Sequence, residues 1–241
     1  MPASLEGFSV AAELEGVPSA LAAARDGIDA LLRDRGLRRT TPALTAESLL
    51  RGAAASAALE GSTTGLEELR HGQGDAIATG AARLNADLLA LSPVIATSPL
   101  QAFARMHTLA AAGTEMADNL GRPRLDAGIA ARLQMMSRHL VAPTRAPALA
   151  VASLAHAELA TLRPFGSRNG LVARAVERLI LVARGVDPAS VLVPEAGHGQ
   201  AGATYRGALT AYATGTPDGR RTWLLYAAQA FGRAAESSPL R

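Results

Sequence analysis

Three observations predict an all-α fold. Apolar residues recur at spacings of three and four along most of the chain, and no stretch alternates apolar and polar residues over the length of a strand. Residues 171–184 are apolar nearly all round (Leu171, Val172, Ala175, Val176, Leu179, Ile180, Val182), as a helix at the centre of a bundle has to be. With 241 residues and 49% apolar composition, the chain can bury a sizeable core.

The elements follow in order. Leu14, Val17, Leu21, Ala24, Ile28, Leu31 and Leu32 give one amphipathic face, which Gly16 and Pro18 split into two pieces. A basic linker over 36–42 precedes a helix for which Thr45 reads as the N-cap, with Glu47 favourable in its first turn, running through Leu59 towards Gly61. Residues 61–74 read as a loop around a short turn at Leu66 to Arg70, followed by a helix over 75–91 and a break at Ser92-Pro93. A helix over 100–112 leads to the polar segment 113–126, where Gly121 and Pro123 forbid regular helix; a loop or a short flap hairpin is expected there. Helices over 129–140 and 148–162 come next, then the central helix, a glycine-rich separator at 197–202, and last helices over 204–212 and 220–235. This divides the chain into an N-terminal helical extension, 1–42, and a helical domain, 43–241.

Composition removes several functions. There is no cysteine, which excludes disulfides, thiolate metal sites and cysteine nucleophiles. The net charge of +3 comes wholly from arginine against acids, a pattern that fits a GC-rich bacterial coding sequence better than a nucleic-acid surface. Aromatic content of 3% leaves little for base stacking. No signal-like N-terminus and no uncharged apolar run of about 18 residues is present, so a cytoplasmic protein without membrane or nucleic-acid partners is expected. His71, His107, His139 and His198 lie at no ligand spacing from carboxylates, and no metal site is expected from them.

One stretch carries chemistry. Between two apolar helices, residues 163–174 place a Pro, two Gly and an Asn in a sharp bend that delivers the chain into a helix N-terminus. Unpaired backbone N–H groups and the positive end of the helix dipole make such a bend a candidate anion site. The run Arg163-Pro164-Phe165-Gly166-Ser167-Arg168-Asn169-Gly170-Leu171-Val172-Ala173-Arg174 resembles the signature of the Fic (Fido) family, His-x-Phe-x-Asp/Glu-Gly-Asn-Gly-Arg-x-x-Arg. Upstream, Ser56-Ala57-Ala58-Leu59-Glu60-Gly61 is similar to the inhibitory helix motif of that family, Ser/Thr-x-x-x-Glu-Gly/Asn, and Tyr205-Arg206-Gly207 with the Trp223 helix is similar to its C-terminal helices. The resemblance spans roughly residues 43 to 236 and implies a Fic helical bundle.

Members of that family mostly transfer AMP from ATP to protein hydroxyls, and the departures decide what carries over. Arg163 stands where the family has its histidine base, and a guanidinium does not deprotonate in proteins. Ser167 stands where an acid holds Mg²⁺, and Leu171 replaces the first motif Arg; Mg²⁺ is therefore not expected. Arg168 replaces a glycine, so its side chain can enter the phosphate space. His156, seven residues before Arg163, is a substitute base at best and more simply a packing residue. Asn169, Gly170 and Arg174, with Arg168, remain as a candidate nucleotide or anion site. Glu60 and Arg174 are expected to form a buried bidentate ion pair, and Asp118, Arg122 and Arg124 fall in the segment matching the family's target-docking flap.

The resemblance thus implies an adenylyltransferase-like protein with impaired catalysis that binds a protein partner, ATP or another nucleotide-like anion. An active transferase with altered, metal-independent chemistry and a purely structural interaction protein are the alternatives, and a homodimer stays open.

Overall fold

A computed structural model describes residues 7–33 and 40–241. Thirteen α-helices and no strand appear among them. They are α1 (Phe8–Ala12), α2 (Val17–Leu31), α3 (Pro42–Leu59), α4 (Leu66–Arg70), α5 (Ala76–Asp87), α6 (Ser92–Thr97) and α7 (Pro99–Ala111). There follow α8 (Ala127–Val141), α9 (Ala148–Leu162), α10 (Asn169–Ala183), α11 (Pro194–Ala201), α12 (Ala203–Ala213) and α13 (Pro217–Glu236). None is long and apolar enough to cross a membrane.

The bundle is built around α9 and α10. Both are apolar on nearly every side, and their residues from Leu149 to Leu159 and from Leu171 to Leu181 are almost all buried. Such helices gain nothing from solvent, so the others wrap them: α3, α6, α7 and α11 pack on α10, and α8, α12 and α13 on α9. The amphipathic face of α2 docks on α13 and α9 through Val17, Leu21, Ala24 and Ile28. Trp223 of α13 is fully buried and donates its indole N–H to the Ser153 carbonyl of α9, 2.8 Å. Very close helix contacts use glycine: a Cβ on Gly197 of α11 would stand 2.3 Å from the Ala230 carbonyl oxygen of α13.

Several expectations need correction. Thr41, one turn before Thr45, is the N-cap of α3 and accepts from the Leu44 N–H; Thr45 instead donates to the Ala189 carbonyl. Pro93 does not break the chain, because it sits in the first turn of α6, where its missing N–H costs nothing. The glycines at 197 and 199 lie within α11 and not in a separator. No hairpin forms over 113–126, where Arg122 donates back to Asn119 after a 3-10 turn at Ala117–Asn119 and Arg124 bonds to the bend instead of to a second strand. Most of the expected linker, 36–39, lies outside the described residues.

Glu47 ties α3 to α4. Arg70 grips its carboxylate with two N–H groups, 2.7 and 3.1 Å, and Arg51 adds a third, 2.8 Å. The Arg70 hydrogen bond, followed after an opposing burial effect by Arg51, holds the Glu47 carboxyl at about 2. A carboxyl whose folded pKa lies below its ordinary 4.5 stabilises the fold above that value and loses the contribution as pH falls towards 2. Thermal melts across that window should therefore flatten in Arg70→Ala, and in wild type at high salt, because the pair is half exposed. An unchanged slope in Arg70→Ala would contradict this assignment.

Candidate functional site

The bend between α9 and α10 is held by its own side chains. Arg163 ends α9 in the left-handed region, φ 48°, and Arg168 opens α10 in the same region, φ 54°. Asn169 makes these two turns compatible: its Oδ1 accepts from the Phe165 N–H at 2.9 Å and its Nδ2 donates to the Phe165 carbonyl at 3.0 Å. A side-chain amide presents donor and acceptor at the spacing of a backbone pair, which is why this position needs Asn. Pro164, Phe165 and Leu171 are buried beneath the bend, whereas Arg163 and Gly166 face solvent.

Ser56, Glu60 and Arg174 meet as the spacing predicts. Ser56 and Glu60 lie one turn apart on α3 and face α10. Gly61, at φ 92°, then turns the chain away, a conformation that penalises a side chain. Arg174, 2% exposed, donates through Nε to Ser56 Oγ (2.8 Å) and through Nη2 to the Ser56 carbonyl (3.1 Å) and Glu60 Oε1 (2.9 Å); Nη1 reaches the Tyr205 hydroxyl at 3.3 Å. The expected bidentate pair is corrected to a single contact, because Ser56 takes the Nε arm of the fork. Glu60 keeps 28% of its side chain exposed. Its carboxylate lies over the first turn of α10, where a Cβ on Gly170 would fall 1.9 Å from Glu60 Oε1. The carboxylate of Glu60 therefore stands against the first turn of α10 and beside Arg174.

His156 cannot serve the bend. It is fully buried, and its ring is shared between Glu177 and Tyr205. Two residues that approach the bend, His107 and Glu115, were not assigned to it from the sequence, because they come from α7 and the segment after it. His107 of α7 stacks flat on Phe165, centroids 4.3 Å apart at 5°. Its Nδ1 accepts from the Gly121 N–H at 3.0 Å, so the neutral ring carries its proton on Nε2, which faces Glu115 Oε1 at 3.6 Å. Burial lowers the His107 pKa, and Glu115 works against that shift. Glu115 in turn accepts a hydrogen bond from the Ser167 hydroxyl, while its other oxygen is buried without a partner. A carboxylate is therefore delivered from the neighbouring segment to a position where the bend itself offers only a hydroxyl.

The segment after α7 is anchored to the bend by the Arg124 N–H on the Pro164 carbonyl (2.8 Å) and Arg124 Nη2 on the Leu162 carbonyl (3.2 Å). Between them lies a cavity of about 640 Å³, lined by Glu115, Asp118, Asn119, Arg122, Arg124 and Gly166. The cavity places Asp118, Arg122 and Arg124 beside the bend. Arg168 Nε is buried without a partner, and Met116 and Leu125 expose large apolar surfaces on the same segment.

No protein-family model matches the chain, and no curated protein matches it in sequence. Solved structures do. A Fic family protein from Desulfovibrio desulfuricans G20 superposes with a TM-score of 0.72 at 18% identity, over 90% of this chain and 73% of that one. Residues 134–508 of Fic-1 from C. elegans superpose with a TM-score of 0.69 at 18% identity, over 91% and 71%. A variant of the same fragment gives 0.67. The bundle around α9 and α10, with the bend between them and α3 laid across it, is the Fic fold.

Proposed function

We propose that this Fic-fold protein is catalytically impaired and acts by binding, through its flap segment to a protein partner and through the head of α10 to a nucleotide-like anion once Glu60 withdraws. The observation that carries this reading is the Glu60 carboxylate lying against Gly170 and paired with Arg174, where it would exclude an incoming anion. The chemistry of the bend agrees, since Arg163 supplies no base and His156 is sealed in the core. The exposed Met116 and Leu125 beside the basic Arg122 and Arg124 suit a protein surface as occupant.

Incubation with labelled ATP, Mg²⁺ and a panel of protein hydroxyl acceptors tests the reading. No label should move to any acceptor or to the protein itself. Transfer that disappears in Asn169→Ala, the residue that shapes the bend, would overturn it.

One observation favours a second reading, an active transferase with displaced residues: the Glu115 carboxylate on Ser167, backed by His107. Mg²⁺ commonly takes only one or two protein carboxylates and completes its shell with phosphates and water. The unpartnered Glu115 oxygen fits such a sparse set, and Glu115 with Ser167 would hold the ion there. Under this reading transfer exists and is lost in Glu115→Gln, while ATP still binds.

A further inference from the structure

Three helices deliver His156 (α9), Glu177 (α10) and His198 (α11) to one point in the core, where their ligand atoms lie within 4.8 Å of one another. Glu177 Oε2 faces His198 Nε2 at 2.7 Å and His156 Nδ1 at 3.0 Å. The far nitrogen of each ring meets a tyrosine hydroxyl: His156 Nε2 faces Tyr205 and His198 Nδ1 faces Tyr226, both at 2.8 Å. Trp223 closes one side, with its ring 5.2 Å from His156 and 6.2 Å from His198.

Glu177 stands apart from the other buried acids among the described residues. Glu158 faces Arg132, Glu195 faces Arg178, and Asp187 accepts backbone N–H groups from Val191 and Leu192. Glu177 has only histidines, and its Oε1 is buried with no partner at all. Among the described residues no arginine reaches this carboxylate in the way Arg132 reaches Glu158 or Arg178 reaches Glu195, so its only polar neighbours are the two imidazoles. A buried carboxylate oxygen without a partner is expensive, and a cation between the three groups would remove the cost.

We propose that His156, Glu177 and His198 bind a divalent transition-metal ion, with zinc the best match to two imidazoles and one carboxylate. Nitrogen and oxygen donors about 2.0–2.2 Å from zinc stand about 3.3 Å from each other in a tetrahedron, so the two carboxylate–imidazole distances, 2.7 and 3.0 Å, open by a few tenths of an ångström while the two imidazole nitrogens, now within 4.8 Å, draw together around the ion. His156 binds through Nδ1 and His198 through Nε2, and the ring protons then sit on the far nitrogens and are donated to Tyr205 and Tyr226. Metal-bound histidines are held in this way by an acceptor on the second nitrogen. Glu177 Oε1 or a water takes the fourth position. The ion clamps α9, α10 and α11, and through Tyr205 it stands next to Arg174, which donates to the same hydroxyl. It does not depend on the reading proposed for the bend, since none of its ligands lies there.

Because the cluster is fully buried, metal has to enter as the chain folds. The full chain is therefore expressed in medium supplemented with Zn²⁺ or Co²⁺, and also refolded from denaturant with either ion or with a chelator. The expected result is one ion per chain by elemental analysis, a higher melting temperature than the chelator-refolded protein, and visible d–d absorption of tetrahedral intensity with Co²⁺. Glu177→Gln and His198→Gln should abolish the absorption. Tyr226→Phe, which keeps all three ligands, should weaken Co²⁺ binding roughly 10-fold by removing the support of His198. Natively folded wild type that binds neither ion would overturn the proposal. So would absorption that survives in a folded Glu177→Gln or His198→Gln variant, or Co²⁺ affinity that is unchanged in Tyr226→Phe.

Discussion

Glu195→Ala should unfold at markedly lower denaturant than wild type, with a loss of about 3–5 kcal/mol. Arg178 and Glu195 are each only 1% exposed and are paired at 2.6 Å, with a further contact at 2.9 Å. The guanidinium also donates to Ser48 and Ser190, so this one side chain joins α3, α10, α11 and the turn before α11. Gly52 of α3 leaves the necessary space, because a Cβ there would fall 2.6 Å from Arg178 Nη2. Removing the carboxylate strands a full positive charge among hydroxyls and carbonyls, which compensate an ion poorly. In a domain of this size the loss corresponds to a melting temperature lower by roughly 6–20 °C. The double variant Arg178→Met/Glu195→Leu should recover much of it, since a buried pair replaced by apolar groups of similar volume is often near neutral. Equal stability of Glu195→Ala and wild type would show that Arg178 reaches water.

Glu60→Ala is expected to act on stability and on binding together. It leaves Arg174 buried with Ser56 and Tyr205 as neutral partners, a cost of about 2 kcal/mol, below that of a fully buried pair because Glu60 is partly in water. It also uncovers the first turn of α10 beside a free guanidinium fork. Calorimetry with ATP, ADP and AMP should be silent for wild type and should give binding in Glu60→Ala that disappears again in Glu60→Ala/Arg174→Ala. Tight ATP binding by wild type would show that Glu60 does not occupy the anion position, and a stability unchanged in Glu60→Ala would show that it does not pair with Arg174.

The bend is the part of the site the sequence carries most completely. Residues Pro164, Phe165, Asn169 and Gly170 are neighbours in the chain, and what they do is set by local geometry: a tertiary amide, a side-chain amide that mimics a peptide, a missing Cβ. Ser56, Glu60 and Gly61 are legible for the same reason, since one helical turn fixes their common face and a left-handed residue must follow. The fork of Arg174 is only half legible. Its opposition to Glu60 follows from the two motifs, but the sharing of its arms between Ser56, Tyr205 and Glu60 depends on how far α3 and α12 stand from α10.

By itself, the sequence determined the helical class, because periodicity and the absence of alternation act over one or two turns. It also determined that the bend carries a guanidinium at Arg163 and a neutral hydroxyl at Ser167, residue types that limit proton transfer and metal ligation wherever they stand. Only the tertiary structure decided what stands in those places. Glu115 and His107 reach Ser167 and Phe165 across more than fifty residues of chain, and His156, Glu177 and His198 converge from three helices at no ligand spacing in the sequence. Of the loop or short hairpin expected over 113–126, the loop forms for the same reason: Arg124 finds its hydrogen-bond acceptors on the bend, at Pro164 and Leu162. Contacts between distant segments are set by packing of the whole bundle, whose free energy is shared among many apolar residues and is written in no single stretch of the chain.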